Sequence, residues 1–400
     1  MMKDGVFLWI LVASMILSGA GSTMTQKAQQ LQIVAPCQGC AAESFNHSYM
    51  QTFFMFMGEL MCIFVWLVIQ FVNKQRKVEA PPLKEGKRYY KFYPNVFLFL
   101  VPTVCDLISS TFNTISLYYS LPSVRLVLSR CTALFIAIFS FCIWRDYRKK
   151  FDLPQVVGLL MLFTGAAITA VASIMFSTSS ETAKNPTIGV VTSILGSLFA
   201  SFFYVSEEVF LRKIQTTGLM GVSNEGGWGM IIYAILLPIF NVVPDPFDTT
   251  KKMENLAGWA FQVKTSAVLQ YTIPIYLVFT IILNASGMEI TNRASAATRS
   301  TVGAQVTIVI WIISFAIGWE SWDTKSTLTR IAGFILVTLG ALIYNNIFKI
   351  IPFLKQYNIK SQGRWMGKGG KEEQKIRESE NILADIIVDS IINTNQQSDA

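Results

Sequence analysis

Apolar residues in this chain come in long runs, with the polar residues gathered in the gaps between them. Ten runs of about 20 residues stand out, at about 5–24, 50–72, 95–119, 123–144, 154–176, 188–211, 225–243, 266–290, 301–318 and 328–348. Each can cross a hydrocarbon core of roughly 30 Å as a helix. No water is present there to pair with the backbone, so each run must satisfy its own N–H and C=O groups, as a helix does. The short alternating strands of a membrane barrel are missing from the pattern. The expected fold is an all-α integral membrane protein with ten transmembrane helices.

The pattern also repeats. A shift of 175 residues sets Trp144 on Trp319, Gly158 on Gly333 and Gly165 on Gly340, and more loosely Gly21-Ser22 on Gly196-Ser197. This predicts a first five-helix repeat over 1–176, with a lumenal loop at 25–49, and a second over 177–350. Residues 351–400 form a cytosolic tail, read as disordered, with a rough helical spacing of Ile and Leu residues from Ile376 to Ile391. An odd number of helices per repeat inverts the second copy in the membrane. Inverted repeats give a chain two related states, open to opposite sides, with a site between the halves. That points to a carrier.

Composition and charge sharpen this. Hydrophobic residues make up 52% of the chain and charged ones 14%, and mean hydropathy is +0.44. Lysine and arginine concentrate in alternate loops: Lys74 to Lys91 after the second helix, Arg145 to Lys150 after the fourth, Arg212 and Lys213 after the sixth, Arg293 and Arg299 after the eighth. The intervening loops hold only Lys27, Lys184, Lys251, Lys252, Lys264 and Lys325. Basic loops stay in the cytosol, so both termini are expected there. The net charge of +8 reflects this asymmetry and contact with membrane lipids, not nucleic-acid binding. Residues 1–22 also have the form of a signal peptide; retention as the first helix keeps the two repeats equal. Asn46-His47-Ser48 is a glycosylation sequon in the expected lumenal loop, and Cys37 and Cys40, in the same oxidising space, are disulfide candidates. Cys62, Cys105, Cys131 and Cys142 read as small apolar residues within helices.

His47 is the one histidine in the chain. Intramembrane zinc proteases need an HExxH pair or an equivalent, so no metal site is expected. Glu207-Glu208 with Arg212 matches the EExxxR string of CAAX-type endoproteases, but their later histidines have no counterpart. No enzyme activity and no cofactor are expected.

Charges inside helices carry the remaining signal, because they are costly in a bilayer and face the bundle interior. Glu59 and Asp106 lie near the middles of the second and third helices, with Arg125 and Arg130 in the fourth. Glu207 and Glu208 close the sixth, Glu225 opens the seventh and Glu289 ends the eighth. Glu208 and Glu225 read as helix-end groups reaching toward water. Glu59 and Asp106, opposed by Arg130, read either as a structural ion pair or as a substrate or proton site, and Glu207 is a further substrate or coupling candidate. Asn113 and Gln305 are polar helix residues, with interhelical hydrogen bonding as the default and a substrate role as the alternative. Two short hairpins are gate candidates, Pro122, Ser123 and Arg125 at the lumenal face and Ser295, Thr298 and Arg299 at the cytosolic face. Tight packing of short hairpins would look the same.

With these residues in place, the chain resembles the drug/metabolite transporter superfamily, in Trp144-Arg145-Asp146 and in the Gly-x6-Gly spacing of the fifth and tenth helices. Met57-Gly58-Glu59, Cys105-Asp106, Glu207-Glu208, Glu225-Gly226, Ser295-Ala296-Ala297-Thr298-Arg299 and Gly318-Trp319-Glu320 are similar to its solute carrier 35 subfamily F and to chloroquine-resistance-transporter-like proteins. The resemblance implies a lysosomal or vacuolar carrier, with a small-molecule solute as partner and homodimerisation left open. A membrane adaptor or receptor that kept the fold is the alternative.

Overall fold

The computed structural model describes residues 4–76, 88–89, 96–143, 153–176, 185–245, 251–293, 296–319 and 324–344. Its helices are α1 (Asp4–Gln30), α2 (Ser48–Gln75), α3 (Leu100–Tyr119), α4 (Pro122–Leu128), α5 (Cys131–Ile143), α6 (Leu153–Phe176), α7 (Pro186–Lys213), α8 (Gly218–Phe240), α9 (Leu256–Thr265), α10 (Ala267–Arg293), α11 (Ala296–Ala316) and α12 (Thr324–Tyr344). Among the described residues, eight spans are long and apolar enough to cross a membrane. Of the ten expected runs, the seventh (α8) and ninth (α11) are helical but outside that set. Trp144, Arg145, Asp146, Glu320, Ser295 and the tail lie outside the described residues.

The first run extends past its expected end at residue 24. The polar last turns of α1 are buried and paired, so they cost little in place. Gln26 Nε2 donates to Thr114 Oγ1 (3.2 Å), and Gln30 Nε2 donates to Gln51 Oε1 (2.8 Å). Lys27, expected in the loop, is 1% exposed. Its Nζ donates to the carbonyls of Leu117 (2.6 Å) and Ser120 (3.1 Å), where a cation suits the C-terminal end of α3.

The fourth run is broken rather than continuous. Ser129 Oγ and Arg130 Nε both donate to the Leu126 carbonyl, at 2.8 and 3.2 Å. The backbone tightens to i→i−3 bonds at Arg130, Thr132 and Ala133. Side chains that compete for a helix carbonyl favour such a 3₁₀ break.

The strongest helix contacts pair α6 with α12, α3 with α7, α1 with α10 and α2 with α8. In the α6–α12 seam the two backbones meet at glycines. A Cβ on Gly158 would lie 2.7 Å from the Gly340 carbonyl oxygen, and one on Gly165 would lie 2.6 Å from that of Gly333. The repeat glycines found by the 175-residue shift are thus the contact points themselves.

A cap closes one end of the bundle. A two-residue antiparallel pair, β1 (Ile33–Val34) with β2 (Glu43–Ser44), holds a loop in which Cys37 and Cys40 are joined by a disulfide. Glu254, 1% exposed, accepts from the backbone N–H groups of Met50 (3.2 Å) and Asn255 (3.1 Å) and from His47 Nδ1. His47 Nε2 meets Gln262 Oε1 at 2.8 Å, an orientation fixed because Gln262 Nε2 donates to the Val34 carbonyl (2.8 Å). His47 therefore ties the first loop to α9. Asn46 is half-buried, and Ser48 is the first, buried residue of α2. At the opposite end β3 (Arg88–Tyr89) runs parallel to β4 (Ile214–Gln215).

Candidate functional site

Five helices bring charged side chains together in the half of the bundle opposite the cap. The firmest element is an ion pair. Glu207 on α7 has a fully buried side chain, and Arg299 near the start of α11 is 5% exposed. Arg299 Nη1 donates to both Glu207 oxygens, at 2.8 and 3.1 Å. The guanidinium carbon lies 4.9 Å from the Tyr204 ring centre. Gly287 on α10 makes room for it, since a Cβ there would sit 2.6 Å from Arg299 Nε.

Glu59 lies at the crossing of α2 and α8. A Cβ on Gly226 would lie 2.7 Å from the Glu59 carbonyl carbon, so the helices pack backbone to backbone, with Glu225 beside Glu59. Glu59 is 3% exposed and Glu225 2%. Asn284 Nδ2 on α10 donates to Glu59 Oε1 (2.7 Å). Glu59 Oε2 and Glu225 Oε1 have no hydrogen-bond partner. Asp106 on α3 is 8% exposed and accepts from Ser110 Oγ (2.9 Å). One turn earlier, Thr103 Oγ1 lies 3.5 Å from the Glu225 carbonyl oxygen. Glu59, Asp106, Glu207, Glu225 and Arg299 lie within electrostatic reach of one another.

Two expectations change here. Glu225, read as a helix-end group, is deeply buried, because α8 begins seven residues earlier at Gly218. Glu289, not Glu225, serves that helix end, accepting from the Gly218 N–H (3.0 Å). The cation facing Glu59 and Asp106 is Arg299, where Arg130 had been expected. Neighbourhood in sequence favours Arg130, but Arg299 at the start of α11 enters the bundle at this same end.

Pro122, Ser123 and Arg125 lie nearer the cap, in the first turn of α4. Pro122 and Ser123 are buried in α4. Arg125 is half-buried, with Nε unpartnered, and lies within electrostatic reach of Tyr276 and Tyr204. Arg130 packs at Gly303, where a Cβ would lie 2.6 Å from its Nη1. Asn113 Nδ2 donates to the Ser109 carbonyl (2.9 Å), and its Oδ1 is unpartnered. Gln305 is half-buried. The side chain of Thr298 lies outside the described residues. Asn284, Tyr204 and Tyr276 escaped the sequence reading, since no charge marks them.

Among the described residues, no three His, Cys, Asp or Glu side chains converge to hold a metal ion. A cavity of about 1300 Å³ opens between α1, α2, α8 and α10; Lys74 and Glu289 line it, but none of the clustered charges does. Its walls include the exposed Val65, Leu67, Ile69 and Phe71, so it is an apolar cleft on the outer face.

No family model matches the sequence. The chain is similar to Solute carrier family 35 member F6 of Homo sapiens, 24% identical over 369 residues, 91% of this chain and 94% of that protein. It is similar to the Mus musculus protein of the same name, 24% identical over 351 residues, 86% and 91% of the two chains. An uncharacterized protein of Schizosaccharomyces pombe is 25% identical over 344 residues, 84% and 96% of the two chains. The alignments run over most of each chain and agree with the motifs: the chain is a membrane protein similar over most of its length to solute carrier 35 subfamily F proteins.

Proposed function

We propose that the protein is a secondary carrier, moving a small polar solute by alternating access across a lysosomal, vacuolar or related endomembrane. The observation that carries this reading is the buried cluster of Glu59, Asp106, Glu207, Glu225 and Arg299, which draws on both halves of the chain and keeps unpartnered carboxylate oxygens. Four carboxylates against one arginine cannot stay charged and unoccupied in a membrane interior. A solute or protons must enter and leave, which suits proton coupling.

The helix pairing supports inverted five-helix repeats over 1–176 and 177–350. Exchanging the halves carries the α1–α10 pair onto α7–α3, and leaves the α2–α8 and α6–α12 pairs in place. The break at Ser129–Arg130 puts irregular backbone inside the bundle, a common device at carrier sites. The hairpins at Pro122–Arg125 and Ser295–Arg299 serve as gates at opposite faces, the second locked by the Glu207–Arg299 pair.

The test is uptake of a metabolite mixture by proteoliposomes, with and without a pH gradient. Saturable uptake that the gradient accelerates is expected. In Asp106→Asn, uptake should persist at reduced rate and lose its response to the gradient. A folded protein that retains no solute from the mixture would favour the adaptor reading.

Topology is checked separately. With both termini cytosolic, a C-terminal tag should be reached by antibody once the plasma membrane alone is opened. Asn46→Gln should remove any glycan-dependent gel shift. A tag accessible only after the organelle membrane is opened would rule out the ten-helix arrangement.

A further inference from the structure

Resting on the carrier reading, we infer that the solute is a zwitterion, with its ammonium end held by Glu59 and Glu225 and its anionic end held by Arg125.

The argument starts from the unmatched atoms. Glu59 and Glu225 are 3% and 2% exposed, and each keeps one buried carboxylate oxygen with no partner. These are acceptors awaiting a donor. Arg125 keeps a buried Nε with no partner, a donor awaiting an acceptor. Buried polar groups are paired as a rule, and exceptions call for a reason. Here the exceptions have opposite character.

They are also displaced toward opposite ends of the bundle. Asp106, beside Glu59 and Glu225, is 13 residues before the end of α3 at Tyr119, about 20 Å of helix. Arg125 lies in α4, one turn beyond the hairpin that follows Tyr119. Tyr276 bridges the two regions, lying within reach of Arg125 as well as of Glu59 and Asp106. Tyr204 is within reach of Asp106 and Glu207, and Arg125 lies near it. The interior thus has an acidic end and a basic end, with two tyrosines between.

Other solute classes leave part of this unmatched. An organic cation would satisfy the carboxylates and leave Arg125 without an acceptor. An anion would do the reverse. A neutral sugar could supply hydroxyls to both ends, yet would leave the charge at each end uncompensated. A metal ion needs converging ligands, which the described residues do not provide. A zwitterion with well-separated charges matches both ends at once.

The test uses the full-length protein in detergent and in proteoliposomes. The probes are γ-aminobutyrate and 6-aminohexanoate, each set against its single-charge analogues: butylamine and butyrate, hexylamine and hexanoate. The matched series is read as inhibition of uptake of a metabolite mixture that includes short peptides, with retained solutes identified by mass spectrometry. At least one zwitterion of the series should inhibit at a concentration about tenfold below both of its analogues. Glu225→Gln should remove its advantage over the carboxylic acid, and Arg125→Gln its advantage over the amine. Glu59→Gln and Arg125→Lys, checked for a monodisperse size-exclusion profile, replace any variant that misfolds. Equal potency of amine and zwitterion in the wild type would overturn the role of Arg125; equal potency of acid and zwitterion would overturn that of the carboxylates. Saturable uptake confined to neutral or singly charged solutes would sink the inference and leave the carrier reading intact. Uptake of nothing by well-folded protein would remove both.

Discussion

Replacing Arg299 with glutamine should lower stability by about 3–5 kcal/mol, the cost of leaving a buried charge unpaired, and should abolish transport. Glu207 has a fully buried side chain and takes both hydrogen bonds from Arg299 Nη1. The same guanidinium is the cation nearest in effect to Glu59 and Asp106. Without it, four buried carboxylates face one another with no opposing charge in the cluster. The double variant Glu207→Gln with Arg299→Gln should recover most of the lost stability, because paired neutral amides carry no desolvated charge. It should not recover transport, because the lock between α7 and α11 would no longer form and break as an ion pair. Unfolding midpoints in detergent, read beside proteoliposome uptake, check both statements. An Arg299→Gln protein with a wild-type midpoint and wild-type uptake would show that the pair holds nothing.

The sequence made the helices legible because a bilayer imposes a strict rule: a run of some 20 apolar residues has few alternatives to a helix. The glycine repeat was equally open, since Gly158, Gly165, Gly333 and Gly340 are meaningful only where backbones touch, and they do. The break at Ser129–Arg130 was hidden, because it depends on two side chains choosing the same carbonyl within an otherwise apolar run. The tie of His47 to Glu254 and Gln262 was hidden too, since it joins residues more than 200 positions apart through loops that carry no periodicity.

The candidate site was half visible. Glu59 and Asp106 stood out as charges in mid-helix. Glu225 did not, because it begins the apolar run and so looks terminal, while the helix that holds it starts at Gly218. The choice of counter-ion was a question of three-dimensional arrangement. Arg130 is nearer to Glu59 and Asp106 along the chain, and only the packing of α11 against α7 brings Arg299 to Glu207.

The second large effect is expected in the α6–α12 seam. Gly165→Val and Gly333→Val should each destabilise the protein by more than the 1–3 kcal/mol or so typical of overpacking in a core. A Cβ at position 165 would lie 2.6 Å from the Gly333 carbonyl oxygen and 2.8 Å from the Val337 amide nitrogen. Those are backbone atoms, which cannot swing aside as a side chain does, so the two helices must separate along their length. Small residues at such crossings let membrane helices gain contact where no hydrophobic force drives them together. α8 offers a control: at Gly227 a Cβ would meet only Leu60 Cδ1, at 3.8 Å. Gly227→Ala should therefore be neutral or stabilising by up to about 1 kcal/mol, from helix propensity. Thermal midpoints of the detergent-solubilised variants test the comparison, and equal midpoints for Gly165→Val and Gly227→Ala would contradict it. The 175-residue shift adds a finer expectation. It exchanges the Gly158–Gly340 contact with the Gly165–Gly333 contact, so valine at 158 should cost about as much as valine at 333, and valine at 165 about as much as valine at 340. Unequal costs within those couples would mean that the two halves share a sequence pattern without sharing a load.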